Sequence, residues 1–164
     1  MGIYEIKATN IIGTSTKTCL LKIMEPSKIL ENLANITGIE GEDAVLQFKT
    51  KKQDNCKIVN TEWFFNGAKI ENSEIYEENT LEDEMFSLHT LKIMRIKSLL
   101  NEGTYSAKIK NENELFTETN KVKLEIFYQP KFIKMPEDQK IKSETTPLTL
   151  TYKIESKPKA ELTW

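Results

Sequence analysis

The stretch Asn101-Glu102-Gly103-Thr104-Tyr105-Ser106-Ala107-Lys108-Ile109-Lys110-Asn111 joins a Gly-x-Tyr motif to residues that alternate between apolar and polar. The same skeleton occurs at the start of the chain, in Gly2-Ile3-Tyr4, and the two tyrosines lie 105 − 4 = 101 residues apart. The two tryptophans, Trp63 and Trp164, are also separated by 164 − 63 = 101 residues. Two aromatic landmarks with one period indicate an internal repeat, and a period near 100 residues is typical of an array of sandwich-sized domains.

The repeat divides the chain into three parts. Residues 26–128 make one complete unit, residues 1–25 hold the last two strands of a preceding unit, and residues 129–164 hold the first strands of a following unit. Neither incomplete part contains enough strands to close a core by itself, so both are expected to be frayed or poorly packed.

Alternating apolar residues and turn signals predict strands throughout, and no convincing amphipathic helix is found, so the fold class is all-β. In the first part, strands are predicted at Ile3–Thr9 and Ser15–Met24, with a turn at Gly13. In the third part, Leu148, Leu150 and Tyr152 predict the second strand. The strands predicted for the central unit are an irregular one at Ile29–Thr37, then Val45–Thr50, Ile58–Phe65, a segment around Leu88 to Ile96, the Gly103 strand, and a last one through Val122 and Ile126.

Asn66-Gly67 is a strong hairpin signal, because both residue types tolerate positive φ. The segment Asn72–Glu84 is acidic and loosely patterned, and we interpret its Glu77–Glu84 run as a solvated loop.

The composition excludes several classes of function. The net charge is −2 with both signs mixed along the chain, and Arg95 is the only arginine, so no basic surface for nucleic acid is expected. No apolar run approaches the ~20 residues that span a bilayer. The sequence therefore predicts neither nucleic-acid nor membrane partners.

These motifs resemble the immunoglobulin fold, in particular the intermediate-set repeats of giant muscle proteins such as titin and twitchin. Asn101 to Tyr105 is similar to the Asp-x-Gly-x-Tyr motif of the sixth strand, with Asn in place of Asp. Trp63 and Trp164 match the core tryptophan of the third strand, and Lys7 to Gly13 resembles the family's Lys-Ala-(Thr/Val)-Asn-x-x-Gly. The resemblance covers essentially the whole chain and implies an immunoglobulin-like β-sandwich.

Secreted immunoglobulin domains usually bridge the second and sixth strands with a disulfide. The resemblance places Phe48 and Ala107 at those positions of the central unit, so no core bridge forms there. The only cysteines are Cys19 and Cys56, in different units, and we interpret both as free thiols of a reducing compartment. The core that the resemblance implies comprises six residues: Phe48, Trp63, Leu91, Ile93, Tyr105 and Ala107.

Nothing in the sequence predicts an enzyme, a cofactor or a metal site. His89 is the only histidine and is interpreted as an exposed strand residue. The acidic run lacks the alternating ligands and central glycine of a calcium loop. Tyr105 fits a tyrosine corner, whose hydroxyl bonds back to the backbone, rather than a catalytic phenol.

The resemblance implies a structural segment of an intracellular, filament-associated protein of the sarcomere or cytoskeleton. Such a segment would act as a mechanical spacer and protein-binding module, whose partners are adjacent immunoglobulin-like domains of the same chain and other proteins, with actin and myosin filament components as candidates. The protein-binding residues are not identifiable from the sequence. The alternative is an extracellular adhesion or receptor fragment, for which the glycosylation sequon Asn35-Ile36-Thr37 is the one supporting feature.

Overall fold

Two antiparallel sheets face each other across the central part of the chain, in a computed structural model that describes residues 2–52, 57–140 and 147–163. The all-β fold class is confirmed. In the described residues the elements are β1 (Gly2–Thr9), β2 (Thr14–Leu21), β3 (Ile29–Glu31), β4 (Ile36–Ile39), β5 (Ala44–Lys51), β6 (Ile58–Phe65), β7 (Ala68–Lys69), β8 (Tyr76–Glu82), β9 (Phe86–Ile93), α1 (Ser98–Asn101), β10 (Gly103–Asn111), β11 (Phe116–Glu118), β12 (Val122–Lys134) and β13 (Lys153–Lys157).

One sheet has the order β3-β5-β9-β8, and the other contains β12-β10-β6-β7 with β11 paired to β10. The predicted irregular first strand is split between them, because β3 pairs with β5 while β4 runs parallel to β12 in the opposite sheet. The side chain of Asn35, just before β4, accepts a hydrogen bond from the backbone N–H of Lys123 at 2.7 Å. The first strand thus joins the two sheets at one side of the sandwich.

Period-2 alternation sets which side chains fill the space between the sheets. In β5 and β10 every second residue is buried. This pattern arises because successive side chains of a strand point to opposite faces. The core cluster draws on both sheets, with Leu46 and Phe48 from one and Trp63, Tyr105 and Leu124 from the other among its members.

The predicted hairpin at Asn66-Gly67 is confirmed. These two residues join β6 to β7, where Phe65 pairs with Ala68. Their φ values are 49° and 85°, which only a few residue types adopt without strain. The predicted Ile58–Phe65 strand also matches β6 at both ends.

Two strand predictions were wrong. The acidic segment interpreted as a loop contains β8, which pairs with β9 along its whole length. Its glutamates obscured the alternation, since an edge strand has one side open to water. In the third part, the strand predicted at Leu148, Leu150 and Tyr152 is displaced to Lys153–Lys157. Apolar alternation sets register only where one face is buried, and here these residues are exposed or half-buried.

The first 21 residues form a separate two-stranded sheet of β1 and β2 in full antiparallel register, from Gly2 opposite Leu21 to Thr9 opposite Thr14. The turn predicted at Gly13 is confirmed, and the side chain of Asn10 accepts the backbone N–H groups of Ile12 and Gly13 at 2.8 and 3.0 Å. Every side chain of β2 is exposed.

A one-turn helix, α1, precedes β10, where the sequence predicted no helix. Its backbone N–H at Asn101 donates to Lys97 C=O at 2.8 Å, and the Asn101 side chain accepts the N–H of Lys97 at 2.9 Å. A single turn is too short to show the 3.6-residue periodicity that identifies a helix from sequence.

Candidate functional site

The six predicted core residues all lie inside the sandwich. Each has at most 1% of its surface exposed, and together they belong to one hydrophobic cluster. They are therefore placed to stabilise the fold and are not accessible to a ligand. The residues are Phe48, Trp63, Leu91, Ile93, Tyr105 and Ala107.

Tyr105 makes the hydrogen bond expected of a tyrosine corner. Its hydroxyl donates to the backbone C=O of Asn101 at 2.9 Å, across the turn formed by α1. Burial raises the pKa of the Tyr105 hydroxyl above its usual value, which keeps it protonated as a donor. The geometry gives this phenol a structural task.

The strand positions that the resemblance assigns to a disulfide hold an aromatic cluster instead. The ring of Phe48 meets Trp63 edge to face, with centroids 5.4 Å apart and an interplanar angle of 62°. Phe48 belongs to β5 and Trp63 to β6, so this contact crosses from one sheet to the other. Ala107 lies opposite Trp63 in the pairing of β10 with β6, and a small residue there leaves room for the indole.

The prediction that His89 is exposed was wrong, since only 1% of its surface is accessible. Its Nε2 lies 3.0 Å from the hydroxyl of Thr50, and its Nδ1 lies 3.1 Å from that of Thr61 and 3.3 Å from that of Thr80. These threonines supply partners for both ring nitrogens, which lets a polar side chain occupy an inward strand position. Burial lowers the pKa of His89 to about 4, so the ring is neutral at physiological pH.

A polar cleft of about 790 Å³ opens between β6 and β8, and this is the candidate functional site. His89 and Thr61 are at its floor, and Glu78 and Thr80 project from the β8 side. Lysines lie around the cleft as well: Lys51, Lys52 and Lys57. A cavity of this volume falls in the range of about 300–1,000 Å³ found for ligand sites.

The charges in the cleft are separated. Lys52 Nζ lies 3.6 Å from Glu82, and it also donates to the backbone C=O of Asp83 at 3.0 Å. Glu78 is two residues earlier than Thr80 on β8, and burial raises the pKa of its carboxyl above the usual value. In the described residues Glu78 forms no ion pair, so its charge is desolvated without close compensation.

The cleft has no evident catalytic or metal chemistry. His89 is held by three hydroxyl groups, and the described part of the chain contains no group of three or more His, Cys, Asp or Glu side chains that could hold a metal ion. Cys19 is an exposed free cysteine on β2, while Cys56 lies outside the described residues, as does Trp164.

The sequence reasoning missed this cleft. A usable signal was present, because Tyr76, Glu78 and Thr80 alternate with more exposed residues along the acidic run. The polar residues at inward positions obscured it, since an alternation test looks for apolar side chains.

Solved structures of titin domains superpose on this chain. The I67–I69 fragment of the titin I-band matches with a TM-score of 0.56 and 17% identity over 70% of this chain, which spans 37% of that fragment. A chimeric titin Z1Z2-Z1Z2 tandem matches with a TM-score of 0.53 and 20% identity over 81% of this chain and 65% of the tandem.

The chain has an immunoglobulin-like fold. The order of the strands agrees with this assignment, since β3-β5-β9-β8 packs on β6-β10-β12 and β4 runs parallel to β12. The immunoglobulin domain of titin M10, in its complex with obscurin-like 1, also matches, with a TM-score of 0.52 and 15% identity over 65% of this chain and 98% of that one. At these identities the likeness is one of fold. No protein-family model matches the sequence.

Among the described residues, no helix of this immunoglobulin-like chain has the length and apolarity needed to cross a membrane.

Proposed function

We propose that this chain is a scaffold segment of an intracellular tandem-immunoglobulin protein associated with sarcomeric or cytoskeletal filaments. In this proposal residues 26–128 form one complete domain, and residues 1–25 and 129–164 belong to its neighbours. The segment serves as a mechanical spacer and as a protein-binding module. The observation that carries the proposal is β12, which continues without a break from Val122 to Lys134 across the boundary between two repeats.

The boundary is further supported by ion pairs. Lys157 Nζ lies 2.7 Å from Glu102 and 3.0 Å from Glu125, which joins β13 to the central domain. Lys131 is ion-paired with Glu40, and Glu40 also accepts the hydroxyl of Ser98 at 3.0 Å. A continuous strand held on both sides resists bending, which is what a spacer of defined length needs.

The aromatic core supports an intracellular location. Phe48 and Ala107 occupy the strand positions of the usual disulfide, and Cys19 is exposed and unpaired. Disulfides form and persist in oxidising compartments, so a core built without one suits a reducing environment. Partners of this proposed module are proteins, with actin and myosin filaments as the first to test.

Small-angle X-ray scattering of the 164-residue chain tests the spacer role. We expect an elongated particle whose maximum dimension exceeds that of residues 26–128 in the same chain, with little change as the chain is diluted. A scattering profile that requires a wide ensemble of bent shapes would contradict a stiff junction.

Thiol labelling and mass spectrometry of the protein from its native source test the location. Free thiols at Cys19 and Cys56 with an unmodified Asn35 support the intracellular proposal. A glycan on Asn35 would overturn it in favour of the extracellular alternative. Cosedimentation with actin and with myosin filaments tests the partner, and failure with both would remove these filaments from the proposal.

A further inference from the structure

The outer edge of β6 is paired over only part of its length. β7 covers Phe64 and Phe65, and the N–H of Ile70 adds one bond to Trp63 C=O at 2.8 Å. From Ile58 to Glu62, no described strand pairs with β6 on this side. An unpaired strand edge presents N–H and C=O groups on which a further strand can form.

The free backbone groups belong to Val59 and Thr61. Residues of an antiparallel ladder direct both backbone groups to one side, and the side alternates along the strand. Trp63 C=O faces β7, so the backbone groups of Thr61 and Val59, two and four residues earlier, face the same way. They point out of the sheet into the polar cleft, in line with β7.

The cleft has room for one extended segment beside this edge. Strands in a sheet lie about 4.8 Å apart and rise about 3.3 Å per residue, so five residues span roughly 17 Å. The volume of about 790 Å³ is bounded on the far side by β8, and its floor consists of the hydroxyl groups around His89. A segment in this position would continue the ladder of β7.

The two strand edges that border the cleft are not equivalent. On β8, the charged residue Glu78 shares the inward-facing side with Tyr76 and Thr80. Inward-pointing charges are a common protection of edge strands against unwanted pairing. Val59 and Thr61 on β6 carry neither a charge nor a proline, so β6 is the edge left open for pairing.

The charges around the cleft favour one kind of partner in one direction. Glu78 is near the Trp63 end, since Lys69 and Glu62 influence its titration from there. Lys51 and Lys57 lie at the Ile58 end, and within the described residues neither forms an ion pair. A segment antiparallel to β6 would reach the glutamate first and the lysines about four residues later.

From this geometry we propose that the β6 edge binds an extended peptide segment of a partner protein, antiparallel to β6, with a basic residue opposite Glu78 and an acidic residue four positions later near Lys51 and Lys57. Positions i and i+4 of a strand share a face, so both charges would enter the cleft. This inference deepens the protein-binding part of the proposed function and rests on it.

The probe is a ten-residue synthetic peptide of threonine and valine with one lysine and, four positions later, one glutamate. Titration into the ¹⁵N-labelled chain is expected to shift the amides of Val59 and Thr61 and to slow their hydrogen exchange. A peptide with the two charges exchanged is the control and should bind more weakly, increasingly so at low salt.

Val59→Pro tests the backbone contact, because it removes an outward N–H and proline is tolerated on an edge strand. We expect a loss of affinity of roughly two- to tenfold, as for one backbone hydrogen bond. The matched variant Val59→Thr keeps the N–H and should bind as the unmodified chain does. In Glu78→Lys, the peptide with exchanged charges should become the better ligand.

The outcomes separate this inference from the spacer role. If neither peptide shifts Val59 or Thr61, or if Val59→Pro binds normally while the domain unfolds cooperatively, the docking edge is wrong and the spacer proposal stands. If the exchanged peptide binds the unmodified chain better, the proposed direction is wrong. If sedimentation shows self-association that Val59→Pro abolishes, a second copy of the chain is the occupant and the partner proposal fails.

Discussion

The imidazole of His89 stacks on the ring of Phe48, with centroids 4.7 Å apart and planes inclined by 14°. Phe48 in turn meets Trp63 of the opposite sheet edge to face. This row of three rings crosses the sandwich at the strand positions where related domains place a disulfide. Contacts between aromatic rings contribute about 0.5–1.5 kcal/mol beyond the area that they bury, so the cluster offsets part of the missing covalent bond.

The small residue at position 107 is expected to be required by this cluster. Ala107 is buried opposite Trp63, and its N–H donates to the hydroxyl of Thr119 at 2.8 Å. Ala107→Phe should overpack the core and lower the free energy of unfolding by roughly 1–3 kcal/mol. Urea unfolding measures this, with the exposed Thr104→Phe as control, and an unchanged midpoint for Ala107→Phe would contradict the packing.

His89 is expected to make stability depend on pH. Its pKa is lowered to about 4 in the folded state, against an ordinary value of 6.5, so folding favours the neutral ring. The stabilisation is fully present above pH 6.5 and is lost as the pH falls toward 4, with a slope of at most about 1.4 kcal/mol per pH unit.

The measurement for His89 is urea unfolding between pH 4.5 and 7.5, taken as the difference from His89→Gln. The variant should be less stable at pH 7.5, where it lacks the stacked ring, and the gap should narrow as the pH falls. Hydrogen bonds from Lys131 and Lys157 lower the pKa of Glu40 and Glu102, but both proteins share these carboxylates and their effect cancels. Two parallel stability curves would show that His89 does not titrate in this range.

Removal of the Tyr105 hydroxyl should destabilise the domain without changing its shape. In Tyr105→Phe the buried C=O of Asn101 loses its donor, at a cost of about 1–3 kcal/mol. The natural comparison is Tyr4→Phe, because Tyr4 has the same place in the repeat but is 56% exposed. Thermal unfolding should shift for Tyr105→Phe alone, and equal shifts in both variants would contradict the tyrosine corner.

Lys157 is expected to hold β13 against the central domain. Lys157→Gln removes the ion pairs with both Glu102 and Glu125, so the amides of β13 should exchange with solvent faster. The matched control is Lys153→Gln on the same strand, whose ion pair, at 3.3 Å, is with Glu155 of β13 itself.

Ionic strength gives a second readout for Lys157. Salt screens partly exposed pairs, so the unmodified chain at high salt should approach the exchange rates of Lys157→Gln. Protection that is equal in the two lysine variants and insensitive to salt would show that backbone pairing alone holds β13.

Local patterns were sufficient for much of the central domain. The bounds of β6, the positive-φ turn at Asn66-Gly67 and the hydrogen bond of Tyr105 all depend on residues close in sequence, so a short stretch predicts them. The repeat of 101 residues predicted the all-β class before any contact was known.

The wrong predictions concern residues whose environment comes from distant parts of the chain. His89 is acceptable inside the sandwich only because Thr50, Thr61 and Thr80, on three other strands, present hydroxyl groups to its ring. No pattern near His89 announces these partners. The acidic run around Glu78 likewise became a strand because β9 offered it a continuous ladder.

The amino-acid sequence by itself determined the strand period, the turns and the absence of a cysteine pair at Phe48 and Ala107, because these depend on residue type and spacing. The tertiary structure alone decided that His89 is buried, that β13 pairs five residues later than the apolar pattern suggests, and that the edge of β6 borders an open cleft. The physical reason is that burial, register and edge exposure depend on which surfaces meet, and the chain brings those surfaces together only when it folds.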